Sequence, residues 1–221
     1  MKTKKEHTTS NKIADIIRHE INVGKLKPGA KIIEREIAET YKSSHIPVRE
    51  ALRILEGEGF IIHLKYAGYV VREITPEEMV ELYDIVKFLS QKLLNAAVPR
   101  YSEITFYQLN EITDEMSKSP GSDQKAMLLV KFVESAYAPA GMKSTFNLAM
   151  QIIRRNIPVF RTLVENVYYD EKPLEFQRTF VEYCQKREYE RAIEYWTARL
   201  DALTKALVAV MSESSKSRKK N

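Results

Sequence analysis

Apolar positions along the chain recur with two different periods, and the change between them divides the sequence. After a polar opening over residues 1–9 that reads as a flexible arm, Ile13, Ile16, Ile17 and Ile21 fall at helical spacing, and the pattern stops at Gly24. Leu26-Lys27-Pro28-Gly29 then reads as a turn. Ile37 and Ala38, followed by Val48, Leu52 and Leu55, have the spacing of one buried seam shared by two short helices, Glu34 to about Thr40 and Ser44 to about Glu56. Ser44 suits an N-cap, and Pro47 sits in the first turn, where a missing N–H costs nothing. Beyond Gly57 and Gly59 the period shortens. FIIHL and YVVRE read as two strands joined through Lys65-Tyr66-Ala67-Gly68 as a hairpin. Three helices and a small hairpin predict a winged helix-turn-helix over residues 10–74.

From Thr75 onward the pattern is helical throughout. Thr75-Pro76-Glu77-Glu78 combines a threonine cap, proline at the first helical position and a glutamate three residues after the cap. Met79, Leu82, Val86, Leu89 and Leu93 form one stripe. Breaks near Pro99, Ser119-Pro120-Gly121, Pro139 to Gly141, Pro158 and Pro173 divide residues 75–211 into about six helices, the content of a compact bundle. In the last of them Ile193, Trp196, Leu200, Leu203, Leu207 and Val210 alternate steps of three and four. Such a seam serves either a bundle core or self-association, the core being the commoner use. Residues 212–221 are rich in Ser and Lys and read as a disordered basic tail. The expected fold is mainly α, with an N-terminal winged helix-turn-helix and a C-terminal all-α bundle.

Charge sharpens this division. Residues 1–75 hold fourteen Lys/Arg against ten Asp/Glu, and residues 76–211 hold seventeen against nineteen. A basic N-terminal unit favours a polyanionic partner, because neutralised phosphates release counterions. The single cysteine, Cys184, excludes an intramolecular disulfide and suits a reducing compartment. No apolar run approaches the roughly 18 residues of a membrane span, and the opening MKTKKEHTTS lacks the apolar centre of a secretory signal. A soluble, cytoplasmic protein without a membrane partner is the expectation.

Two helices joined by a tight turn, the second carrying exposed donors, form the arrangement that enters a DNA major groove. His45, Arg49 and Arg53, spaced by four residues, occupy the outer face of the second helix. His63, Lys65 and Tyr66 lie in or beside the hairpin. There a contact to phosphate or the minor groove stands level with plain exposure. An enzyme is disfavoured. The large helical region contains no histidine, the cysteine has no histidine near it in sequence, and no Gly-rich phosphate loop or zinc motif occurs.

Gly24, Leu26, Pro28-Gly29, Glu34 to Ala38, PVREALRILEGEGF, Gly68 and Val70 together closely resemble the DNA-binding domain of GntR-type bacterial transcription regulators. The helical region resembles more loosely the ligand-binding domain of the FadR-type (FCD) subgroup, ELYDIVKFLSQKLLNAA having the look of its first helix. The resemblance implies a homodimeric repressor or activator that binds a short palindromic operator in double-stranded DNA. It also implies control by a small metabolite, often a carboxylate. Arg35 and Arg49 fall on family positions that contact DNA, and Gly68 falls at the wing tip. The DNA-binding set is then Arg35, Ser44, His45, Ile46, Pro47, Arg49, Arg53, His63, Lys65 and Gly68. His45 stands where the family usually has an arginine. One imidazole edge replaces a bidentate guanidinium there, so a different base or a weaker contact follows.

Many relatives of the FCD subgroup hold a divalent metal with three histidines and an acidic residue. Here all four histidines, His7, His19, His45 and His63, precede residue 64, and the corresponding positions are Val133, Gln177 and Arg199, with Asp84 near the acidic one. One carboxylate does not hold a transition metal tightly without nitrogen or thiolate ligands, so no metal or other cofactor is expected. Lys87, Gln177 and Arg199 become candidates for effector binding, against the plainer reading of surface charge or internal ion pairs. The other reading of the same residues is a helical domain that only dimerises. A cavity of several hundred Å3 with a few inward polar groups would favour a ligand sensor, and a solid interior would count against one.

Overall fold

The computed structural model describes residues 8–66, 68–166 and 174–218, with side chains at 162–166 and 213–218 left aside. The chain divides into two units, Met1–Glu73 and Ile74–Asn221.

In the first unit, helix α1 (Thr9–Asn22) begins within the segment expected to be an arm, because Thr8 caps it. Thr8 Oγ1 accepts a hydrogen bond from the Asn11 backbone N–H at 3.3 Å. A two-residue strand, β1 (Lys31–Ile32), follows the turn, and it is too short to leave a periodic signal. Helix α2 (Glu34–Thr40) and helix α3 (His45–Glu58) make the helix-turn-helix. Ser44 takes the N-cap position of α3, yet its side chain makes no capping hydrogen bond. The helix runs two residues past the expected end and stops at Gly59, whose φ of +80° only glycine adopts without cost. Strands β2 (Ile61–Leu64) and β3 (Gly68–Val71) pair antiparallel with Leu64 opposite Gly68. β1 adds to the far side of β3, giving the order β1-β3-β2. Ile17, Val48, Ala51, Leu52, Leu55 and Ile61 are wholly enclosed where α1 packs against α3. Truncating either leucine to alanine would cost about 2–5 kcal/mol.

The second unit is helical. Helix α4 (Pro76–Ala97) is capped as expected, Thr75 Oγ1 accepting from the Glu78 N–H at 3.2 Å. A 3-10 turn (Val98–Arg100), helix α5 (Glu103–Lys118), helix α6 (Ser122–Tyr137) and a second 3-10 turn (Ala138–Ala140) lead to helix α7 (Lys143–Arg155). Helix α8 (Ile157–Asn166), helix α9 (Glu175–Gln185) and helix α10 (Tyr189–Arg218) complete it. Among the described residues there are thus seven α-helices rather than six. The break expected at Pro158 falls at Asn156, because proline is accommodated as the second residue of α8. The additional break comes at Arg187, which holds φ +60° while the Glu188 N–H bonds back to the Tyr183 carbonyl at 2.9 Å. No glycine or proline announces it. The break expected at Pro173 lies outside the described residues. The tail expected to be disordered from Ser212 instead continues α10 to Arg218. Serine, lysine and arginine are acceptable helix residues, and extending an existing helix needs no new nucleus.

The stripe on α4 and the seam on α10 face one core. Trp196, Leu203 and Leu207 are buried, and Ile193, Leu200 and Val210 are packed against them, so this seam is a bundle core in the single chain. Trp196 is the hub, with ring centroids of Phe180 at 4.7 Å, Tyr137 at 5.6 Å and Phe132 at 6.2 Å. Cys184 is buried in the same core.

Candidate nucleic-acid interface and ligand cavity

Helix α3 presents one face to its own core and the other to solvent. Val48, Ala51, Leu52 and Leu55 are buried, whereas His45, Ile46, Arg49 and Arg53 are exposed and Pro47 is half-buried. Ile46 is 72% exposed, a large apolar side chain with no intramolecular reason to be outside. Arg49 Nε donates to Glu34 Oε2 at 3.0 Å, linking the start of α2 to the first turns of α3. Arg35 Nε donates to Glu39 Oε1 at 2.8 Å one helical turn along α2. Both guanidiniums remain exposed, and their partners are carboxylates at or near the surface. Such pairs hold by less than about 1 kcal/mol and yield readily to a phosphate or a base edge. Ser44 is exposed, with its hydroxyl outside any capping bond.

The hairpin supplies the second part of this surface. His63 on β2 packs edge-on against Tyr69 on β3 at 4.9 Å. Lys65 Nζ lies 5.3 Å from the ring centroid of Tyr66, which is 95% exposed and holds φ +75°. Gly68 closes the hairpin at φ +76° with open space where a side chain would stand. Tyr69 was not singled out by the sequence. Burial foremost, then the charges of Glu56 and Glu34, pushes its pKa up against the opposing pull of Arg53 and Arg49. Those charges belong to α2 and α3, an influence that crosses from strand to helix and leaves no trace in local spacing.

The helical unit contains a partly open cavity of about 50 Å3, with Tyr83, Val133, Phe176, Gln177, Trp196 and Arg199 among its lining residues. Gln177 and Arg199, both expected at an effector site, therefore meet in one place together with Val133. Lys87 does not join them. Its ammonium is held by both carboxylate oxygens of Asp201 at 2.7 Å on the surface between α4 and α10, which satisfies the charge there. Asp84 is exposed and does not line the cavity. The donor set does not fit a metal: an aliphatic side chain, a neutral amide and a guanidinium supply no tight ligand for a transition ion. Among the described residues no three His, Cys, Asp or Glu side chains gather closely enough to hold one. Burial lowers the pKa of Arg199, whose guanidinium carbon sits 5.8 Å from the ring centroid of Phe176. Burial also pushes the Tyr83 phenol far up, so it stays protonated and able to donate.

Residues 9–71 match the family model described as bacterial regulatory proteins, gntR family. Over 93 residues the chain is 31% identical to the Nta operon transcriptional regulator of Aminobacter aminovorans, covering 42% of this chain and 44% of that one. Over 112 residues it is 32% identical to the gluconate operon transcriptional repressor of Bacillus subtilis, covering 51% and 46%. These matches span less than half the length of either curated relative. The fold extends further. A GntR transcriptional regulator from Rhodococcus sp. RHA1 superposes with a TM-score of 0.79 at 18% identity, over 90% of this chain and 97% of that one. The Escherichia coli protein McbR/YncC superposes with a TM-score of 0.78 at 19% identity, over 94% and 99%. No helix among the described residues is long and apolar enough to cross a membrane.

Proposed function

We propose, from a chain whose N-terminal unit is a GntR-family DNA-binding domain, that the whole protein is a transcriptional regulator of the FadR-type subgroup. It works in the cytoplasm as a homodimer on a short palindromic operator, and a small metabolite, an organic acid, modulates its grip on DNA. The observation that carries this reading is the exposed row of His45, Arg49 and Arg53 on α3 beside the hairpin. Two such helices, one from each subunit, enter successive major grooves one helical turn apart. His45 and Arg49 read base edges. Arg35, Arg53, the Ser44 hydroxyl, the first-turn N–H groups of α3 and the wing residues His63, Lys65 and Gly68 hold phosphates and set the register. Ile46 and Pro47 offer apolar contact to a thymine methyl.

The effector acts only through unequal affinity for two arrangements of the dimer, one of which fits the half-site spacing. The small volume of the cavity, about 50 Å3, favours a second reading in which the helical unit serves dimerisation alone. The first reading is preferred because of the polar groups that the cavity holds. For the DNA site the test is direct. On an operator selected from random duplexes, Arg49→Ala is expected to lose about 1–3 kcal/mol of specific binding in a gel-shift titration at fixed salt. Unchanged affinity would remove Arg49 from the interface.

A further inference from the structure

Two arginines of the DNA-facing surface are paired with carboxylates, and the two pairs differ in what they can do. Arg35 Nε meets Glu39 Oε1 four residues along the same helix, with the side chains 81% and 63% exposed. Exposed helices commonly carry such pairs, which fix neither partner. Arg49 Nε meets Glu34 Oε2 across fifteen residues, from α3 to the first turn of α2, and the Glu34 side chain is only 30% exposed. This carboxylate is placed by the packing of α2 against α3, not by the helix that carries the arginine. The donor atom used decides the consequence. A guanidinium carries five N–H donors in a rigid plane, one on Nε and four on the two terminal nitrogens. With Nε engaged at 3.0 Å, the plane is oriented and the terminal nitrogens remain for another partner. Those two nitrogens suffice for a bidentate contact to O6 and N7 of guanine. The ion pair is weak enough to break, yet reading a guanine does not require it to.

We infer that Glu34 is a positioning residue for base recognition: it stays on Arg49 Nε in the complex and presents the terminal nitrogens to a guanine. This rests on the reading of α3 as the recognition helix and adds the residue that sets its selectivity. Two effects of opposite sign follow. An arginine already oriented loses less rotamer freedom on meeting its base, which favours the matching base pair alone. A fixed negative charge on the same surface repels phosphate and occupies Nε, which weakens binding to every other sequence. Glu34 thereby exchanges affinity for discrimination.

Gel-shift titrations of the full chain at one low salt concentration test this, on an operator selected from random duplexes and on its single-base-pair variants. The pair that Arg49 reads is the one whose substitution ceases to matter in Arg49→Ala. In Glu34→Gln, discrimination at that pair is expected to fall about three- to tenfold, the effect of one side chain left to be ordered. Affinity for unrelated duplex should rise about twofold or more. In the Arg49→Ala background Glu34→Gln should cost no further discrimination, since the two residues act as one unit. Affinity falling equally for operator and unrelated duplex, with a lowered Tm, would make Glu34 structural and overturn the inference. So would unchanged discrimination. A loss that persists in the Arg49→Ala background would overturn it too, because Glu34 would then touch a base itself. If no base pair loses its effect in Arg49→Ala, or the wild-type chain does not distinguish operator from unrelated duplex, the DNA-reading assignment fails and takes the inference with it.

Discussion

Arg49 meets Glu34 at 3.0 Å, and the strength of that contact decides what the arginine can do next. An exposed pair of this kind holds by less than about 1 kcal/mol, whereas a bidentate contact to guanine is worth about 1–3 kcal/mol. The carboxylate therefore aims the guanidinium without withholding it. Cys184 illustrates the opposite case, a reactive group made inert by its surroundings. Burial pushes its thiol from an ordinary value near 9 up to about 12. The folded chain holds that proton more tightly than the unfolded chain, so this contribution is complete below pH 9 and is lost as pH rises towards about 12. A thiol reagent at pH 8 is expected to label the native protein slowly and the urea-unfolded protein at once. Rapid native labelling would show that the thiol is accessible. Single residues were unevenly legible. The outward row on α3 follows from four-residue spacing, but the partner of Arg49 lies fifteen positions away across a turn and leaves no local pattern. Gln177 could be placed by resemblance. That its amide goes unbonded is a property of the packed core alone.

At the scale of elements, the turn inside the helix-turn-helix carries strain. Lys42 holds φ +48° so that the Ser43 N–H can bond back to the Ala38 carbonyl at 2.9 Å. A left-handed lysine costs about 1–2 kcal/mol relative to a right-handed one, part of which glycine would return through its freer unfolded state. Lys42→Gly is expected to raise stability by about 0.5–1 kcal/mol in a urea titration with operator affinity unchanged. A loss of stability would mean that the lysine side chain contributes more than its backbone costs. The same geometry at Arg187 explains why the boundary between α9 and α10 could not be read. Sequence punctuation depends on glycine and proline, and neither position uses them. β1 escaped for a different reason, since two residues cannot display an alternation. The hairpin and the start of α4 were legible because their signals are local: β-rich runs around a glycine turn, and a threonine cap before proline.

For the whole molecule, the division near residue 74 was visible as a joint change of period and charge, and the contact pattern divides the chain at Glu73. The cavity of the second unit was far less legible, because it is the joint product of side chains from several helices. On the proposed dimer, about three cations per subunit meet phosphate. The slope of log affinity against log salt concentration should then be about −5. A slope near zero would indicate that Arg35, Arg53 and Lys65 stay in solvent.

Helix α10 gives this unit a mechanical property. Its thirty residues form a continuous rod of about 45 Å, and Arg199, at the cavity, lies about 29 Å from the end at Arg218. A pivot of about 4° at Arg199 would sweep that end through about 2 Å, the scale of shift by which subunit interfaces change state. The helix that carries Arg199 into the cavity is therefore also a lever arm.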